Sequence, residues 1–204
     1  MTYVLIAATV LSSIIGFSNA DVMYHGKHWP YAEQQRREYH RLLFAGFLHA
    51  DVVHLLFNMM TLYFFGRYVE SWFQAVFPPI GGVVFLLFYL VAIVAASLGT
   101  YYKHRSNPSF ASIGASGAVS AVLFAAILLN PTMGIYVFLI PIPVPGFIFG
   151  ALYLWYSSYA ANRSDDHIDH LAHFYGAVFG FLFPLVLQPS LILQFLAQLR
   201  QWSF

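Results

Sequence analysis

The chain of 204 residues contains no cysteine. Disulfides, thiolate nucleophiles and cysteine-based metal sites are therefore excluded, while the compartment is left undecided. Charge is nearly as scarce. Asp, Glu, Lys and Arg make up 8% of the residues, where a soluble domain carries about 25%. A net charge of +1 provides no electrostatic footprint for a nucleic acid. No long polar stretch interrupts the chain, so no separate soluble domain is expected. What is present is apolar: 60% of residues are hydrophobic and mean hydropathy is +0.68. This balance describes an all-α polytopic membrane protein whose first partner is the lipid bilayer.

A helix that crosses the hydrocarbon core needs roughly 20 apolar residues. Six stretches reach or approach that length: 3–17, 52–69, 80–102, 113–129, 146–161 and 168–187, the first and fifth being short. Pro78-Pro79 opens the third, and Ser106-Asn107-Pro108 breaks the chain ahead of the fourth. The run Pro141-Ile142-Pro143-Val144-Pro145 cannot lie inside a helix, so the fifth begins after it. Residues 19–50 form a long first loop, polar and aromatic, with Lys27, Arg36, Arg37 and Arg41; loops of this length usually fold or function. A short polar connection, 162–166, leads into the sixth stretch, and 191–202 reads as an interfacial amphipathic helix within a tail 189–204. Ser18-Asn19-Ala20 before Asp21 resembles a signal-peptidase site, but no Lys or Arg precedes the first apolar run. The expectation is a retained first helix and a single membrane-embedded domain, 1–204.

Ionisable groups at membrane depth are costly and usually functional. His54 and Asn58, four residues apart, share one helix face and both can donate to an oxygen; each can equally join helices. His49 stands at the start of the same helix. Gly114-Ala115-Ser116-Gly117 puts a serine between glycines at a helix mouth, where close approach and a free backbone N–H favour a nucleophile with part of an oxyanion site. Alone, the pattern fits close helix packing better. His167, Asp169, His170 and His173 crowd seven residues and raise the possibility of a metal. His167 and His173, however, point roughly 120° apart on a helix, which leaves only His170 and His173 with a remote ligand. Gly176-x-x-x-Gly180 gives the His173 side of its helix a small-residue face. If the partner is the Ser116 helix, with Gly117 and Ala121, Ser116 and His173 come within reach of each other.

Taken together, His49-x4-His54-Leu55-Leu56-Phe57-Asn58, Gly114-Ala115-Ser116-Gly117 and Ala172-His173-x2-Gly176-x3-Gly180 occur in order on separate helices. In this the chain resembles the rhomboid family of intramembrane serine proteases over nearly its whole length. The resemblance implies a bundle of six transmembrane helices without a cofactor or metal. Ser116 would be the nucleophile and His173 the general base. His54, Asn58 and the Ser116 N–H would form the oxyanion site beside Gly114 and Gly117, with His49, Gly176 and Gly180 in support. The substrates implied are transmembrane proteins, and the minimal core points to a bacterial inner membrane.

Two positions depart from the family. Tyr39-His40-Arg41 stands where Trp-Arg is frequent, and Ser120 replaces an aromatic that packs on the histidine in some members. That leaves Phe174 or Tyr175 to position the His173 ring. Asp169 reads as a solvated loop end rather than a third triad member. Two rival readings remain: a non-catalytic relative that binds membrane helices, and a metal-dependent membrane hydrolase using the histidine cluster.

Overall fold

The computed structural model describes residues 1–137, 142–161, 163 and 168–202. Helix α1 spans Thr2–Ser18, and α2 (Ala20–Gly26), α3 (Pro30–Arg36) and α4 (Arg41–Phe44) follow, α4 running into a 3-10 turn Ala45–Phe47. Helices α5 (Val52–Thr61) and α6 (Arg67–Val76) are joined through a π turn, Leu62–Gly66. Next come α7 (Gly81–His104) and α8 (Ser116–Leu129). Short strands β1 (Gly134–Ile135) and β2 (Val144–Pro145) then pair antiparallel, Gly134 opposite Pro145. The chain ends in α9 (Gly146–Ala160), α10 (His170–Leu187) and α11 (Leu191–Gln201). Among the described residues α7 and α10 are each long and apolar enough to cross a membrane. Arg41–Phe47 with Val52–Val76 passes the same test as a pair bent by 90°, and α1 and α8 are shorter apolar helices.

In α1 and α9 the polarity is inverted relative to a helix of a protein in water. Helix α1 buries Thr2, Thr9, Ser13 and Gly16 and exposes Val4, Leu11, Ile14 and Ile15. Helix α9 buries Gly146, Gly150, Ser157 and Ala160 and exposes Leu152, Trp155, Tyr156 and Tyr159. Lipid tails are as apolar as leucine. Helices in a bilayer therefore associate through small residues and hydrogen bonds, and leave their bulk outside.

Helix α8 is the axis, buried from Gly117 to Leu128. Helix α10 lies against it almost backbone to backbone. A Cβ added at Gly176 would stand 2.0 Å from the carbonyl oxygen of Gly117, and one added at Gly180 would stand 2.0 Å from that of Ala121. Helix α7 closes on the other side, with Ala96 Cβ 2.6 Å from where a Gly117 Cβ would be.

Residues 19–50, read from the sequence as a loop, carry α2, α3, α4 and the 3-10 turn instead. Asn19 caps α2 through its side chain, accepting from the N–H groups of Asp21 and Val22. The buried Arg41 guanidinium pairs with Glu38 at 2.6 Å and donates to the carbonyls of Tyr24 at 2.7 Å and Lys27 at 3.4 Å, closing the C-terminal end of α2. The fourth apolar run also starts later than its composition indicates. Gly114 has φ +139°, outside any helix and open to glycine, so α8 begins at Ser116.

The segment leading into α8 is tied down by four residues. His28 and Ser112 exchange backbone hydrogen bonds of 3.0 Å. The Gly114 N–H donates to the Ala45 carbonyl at 3.1 Å. Asp169 caps α10 through Ala172 N–H at 2.9 Å while accepting from Thr100 Oγ1 at 2.6 Å and Ser112 Oγ at 2.8 Å. Asp169 is thus no solvated loop end, because its carboxylate joins α7, α10 and the segment before Ser116. The fourth tie is His49, wholly buried. Ser13 Oγ donates its one proton to the Phe47 carbonyl at 3.1 Å, so the 3.0 Å contact with His49 Nδ1 requires the proton on Nδ1. Nε2 then accepts from Ala115 N–H at 3.4 Å. Burial, and next the charge of His54, push the His49 imidazole down from 6.5 to about 3, keeping it neutral in this role.

Two outcomes are expected. Gly176→Ala should lower unfolding stability by about 1–3 kcal/mol, since backbone must move. Gly82→Ala, where the nearest atom is 3.5 Å away, should be close to neutral; unfolding in mixed micelles measures both, and equal effects would contradict the seam. A histidine held neutral takes up its proton only on unfolding. Stability should therefore be complete above about pH 6.5 and fall as the pH drops toward about 3. His49→Ala should be less stable at neutral pH and have a shallower acid slope; parallel thermal-midpoint profiles would contradict this role.

Candidate active site

Ser116 is the first residue of α8, where the N–H groups of the first turn have no acceptor within the helix and the helix dipole favours negative charge. Beside it Gly114 exposes bare backbone to the His54 ring: a Cβ there would lie 2.6 Å from His54 Cε1 and 3.1 Å from Nε2. No residue with a side chain would let the imidazole approach the backbone at position 114 this closely. His54 is carried by the first turn of α5, where the Asp51 carboxylate caps the helix by accepting from His54 N–H at 2.8 Å. One turn on, Asn58 is buried, and its Nδ2 has no hydrogen-bond partner in the structure. An amide donor left open in a dry interior costs about 1–3 kcal/mol, so it calls for a ligand.

Ser116, His173, His54, Asn58, Gly114 and Gly117 all line one cavity of about 1070 Å³. Ser116 and His173 are half-buried, hence within reach from it. Of the other residues singled out in the sequence, His49, Gly176 and Gly180 stand behind the wall: His49 holds Ala115, and the glycines set the spacing between α8 and α10. His54 and His49 meet edge to face, ring centroids 5.0 Å apart. His170 meets His173 in the same manner at 5.9 Å.

The aromatic beside His173 is neither Phe174 nor Tyr175. Neighbours one and two positions along a helix turn away from residue i. Tyr175 packs over Gly99 on α7, where a Cβ would strike its ring at 2.0 Å. The ring that stacks on His173 belongs to Tyr153 of α9, with centroids 6.1 Å apart and planes inclined by 29°. Sequence reasoning had no signal for a contact between positions 153 and 173 on different helices. Asp169 did carry one, a carboxylate three residues before Ala172 at the start of an apolar run, which is a cap signature. Among the described residues no group of three His, Cys, Asp or Glu is placed to hold a metal ion; His167 lies outside the described residues.

Comparison with known proteins agrees in kind. The Rhomboid domain family model matches residues 36–190. The chain is 30% identical to RHOMBOID-like protein 12, mitochondrial, of Arabidopsis thaliana over 148 residues, 68% of this chain and 43% of that protein. It is 34% identical to Rhomboid protease GlpG of Haemophilus influenzae over 126 residues, 60% of this chain and 59% of that one. Over 83 residues it is 43% identical to RHOMBOID-like protein 4 of Arabidopsis thaliana, 41% of this chain and 18% of the relative. It thus spans less than two thirds of the length of each. With the family model covering residues 36–190, this helical membrane protein belongs to the rhomboid family.

Proposed function

We propose that the chain is an intramembrane serine protease that hydrolyses peptide bonds in or near transmembrane helices of membrane-protein substrates. Ser116 Oγ attacks the scissile carbonyl while neutral His173 takes its proton, then returns it to the leaving amine. Water hydrolyses the acyl-enzyme by the same route in reverse roles. His54, the Asn58 amide and the Ser116 N–H hold the tetrahedral oxyanion, an arrangement in which removing one donor costs about 10²–10³ in kcat. The observation that carries this reading is the buried, unpartnered Asn58 Nδ2 on the wall of the cavity that Ser116 and His173 also line. A relative named as a rhomboid protease supports the enzymatic reading.

The proposed bundle has six spanning segments: α1, α5–α6, α7, α8, α9 and α10, with α2–α4 between the first two and α11 at the interface. With 14 residues, α8 is about 21 Å long, short of the roughly 30 Å hydrocarbon core, so Ser116 sits below the membrane surface and is reached through the cavity. A substrate helix hides its carbonyls in hydrogen bonds. Those with helix-weakening residues near one membrane face are therefore the expected substrates.

Ser116→Ala and His173→Ala should each abolish cleavage of a transmembrane substrate while the protein remains folded and inserted, and a chelator should leave the wild type unaffected. Full activity in Ser116→Ala would overturn the proposal. Loss of activity with chelator would favour the metal-dependent rival, and a folded wild type that binds but never cleaves would favour the non-catalytic one.

A further inference from the structure

Tyr153 on α9 touches both α8 and α10. Its carrier, α9, exposes Leu152, Trp155, Tyr156 and Tyr159, yet this residue turns inward and lines the cavity. The ring lies over the imidazole of His173 on α10. It also packs against Phe124 of α8 at 5.5 Å and Phe149 of its own helix at 5.8 Å between centroids. The phenolic oxygen is 2.6 Å from Ser120 Oγ. Ser120 is itself buried and donates its single proton to the Ser116 carbonyl at 2.7 Å. The hydroxyl of Tyr153 is therefore the donor in the 2.6 Å contact. One chain of bonds runs from the backbone of Ser116 through Ser120 to the Tyr153 phenol, and the ring of that phenol bears on His173.

Such an arrangement does what a histidine base requires. The second torsion of a histidine is broad, so an imidazole needs a wall to hold one angle. Tyr153 has two torsions of its own. Both are fixed here, the ring by Phe124 and Phe149 and the far end by Ser120. Apolar packing of α9 on α8 needs no hydroxyl pair; leucine would fill the space. The tether gives what leucine does not, a defined ring plane registered to the residue that carries the nucleophile. A serine at position 120 is what leaves room for it.

We infer that Tyr153, tethered to Ser120, is a positioning residue that sets the His173 ring for proton transfer with Ser116, an inference that rests on the protease reading above. Tyr153 acts through His173 rather than on the substrate, so its loss falls on the chemical step. The dyad is accordingly completed by α9, and any shift of α9 relative to α8 is felt at the base.

The test is steady-state kinetics of the full chain in detergent or bicelles on a transmembrane substrate, with thermal midpoints in parallel. Tyr153→Leu should lower kcat on the order of 10- to 100-fold, the scale of a misplacement of about 1 Å, with KM and thermal midpoint nearly unchanged. Tyr153→Phe keeps the stack and loses the tether, and should recover most of that loss. Ser120→Ala should match Tyr153→Phe, and the double variant should be no worse than either, because both remove one link. Unchanged kcat in Tyr153→Leu would overturn the inference, as would equal losses in the Phe and Leu variants or a fall that tracks the thermal midpoint. Ser116→Ala separates the two levels. Cleavage lost in that variant but intact in Tyr153→Leu refutes the positioning role alone, whereas cleavage retained in Ser116→Ala refutes the protease reading, and this inference with it.

Discussion

Everything in this protein depends on how closely α10 approaches α8. Gly176 and Gly180 let the α10 backbone come down onto the carbonyls of Gly117 and Ala121, leaving no space for even a methyl group. In water such a seam would be one contact among many, since burial of leucine would hold the helices together. In lipid that drive is absent, and dispersion between closely approaching backbones takes its place. The same constraint explains why α1 and α9 bury threonine, serine, glycine and alanine while their aliphatic and aromatic side chains face outward. Ser116 opens one of the two helices at the seam, and His173 lies within one turn of Gly176 and two turns before Gly180 on the other. The packing that holds the fold therefore also sets the distance between the two candidate catalytic side chains.

The seam fixes the helices but not the entry to α8, where the candidate nucleophile Ser116 stands. That is the task of the ties around residues 112–115. His28 and Asp169 hold Ser112, Ala45 holds Gly114 and His49 holds Ala115, from three separate parts of the chain. Gly114 supplies the φ the turn requires and the bare surface on which His54 rests. A helix mouth held in this way is pre-organised: its N–H groups need not reorient when an anion forms, and this is the condition under which such donors contribute most. The fold of α2–α4 thus has a purpose at the site, because His28 belongs to that region and reaches Ser112 across an antiparallel bridge.

The membrane segments were legible because composition alone dictates them. An apolar run near 20 residues with scarcely any charge has few other solutions, and α7, α9 and α10 begin within two residues of the runs that mark them. The glycine spacing on α10 was legible for the same reason, since close approach in lipid leaves a compositional trace. Three features were not. Residues 19–50 hold polar and aromatic side chains without long periodicity, so short helices capped by Asn19 and closed by Arg41 do not announce themselves. The start of α8 depends on a single φ at Gly114, which hydrophobicity does not encode. The Tyr153 stack joins α9 to α10, and a lone sequence carries no signal for contacts between helices unless a motif supplies one.

The most direct measurement of the account is the site of covalent attack by a serine-directed fluorophosphonate. The reagent reacts only where a serine oxygen is activated by a base and the resulting oxyanion is held. The account predicts a single adduct, mapped by mass spectrometry to Ser116, formed readily by the wild type and reduced to background in His173→Ala. An adduct on another serine, none at all on the folded protein, or one at Ser116 that forms equally fast without His173 would contradict it.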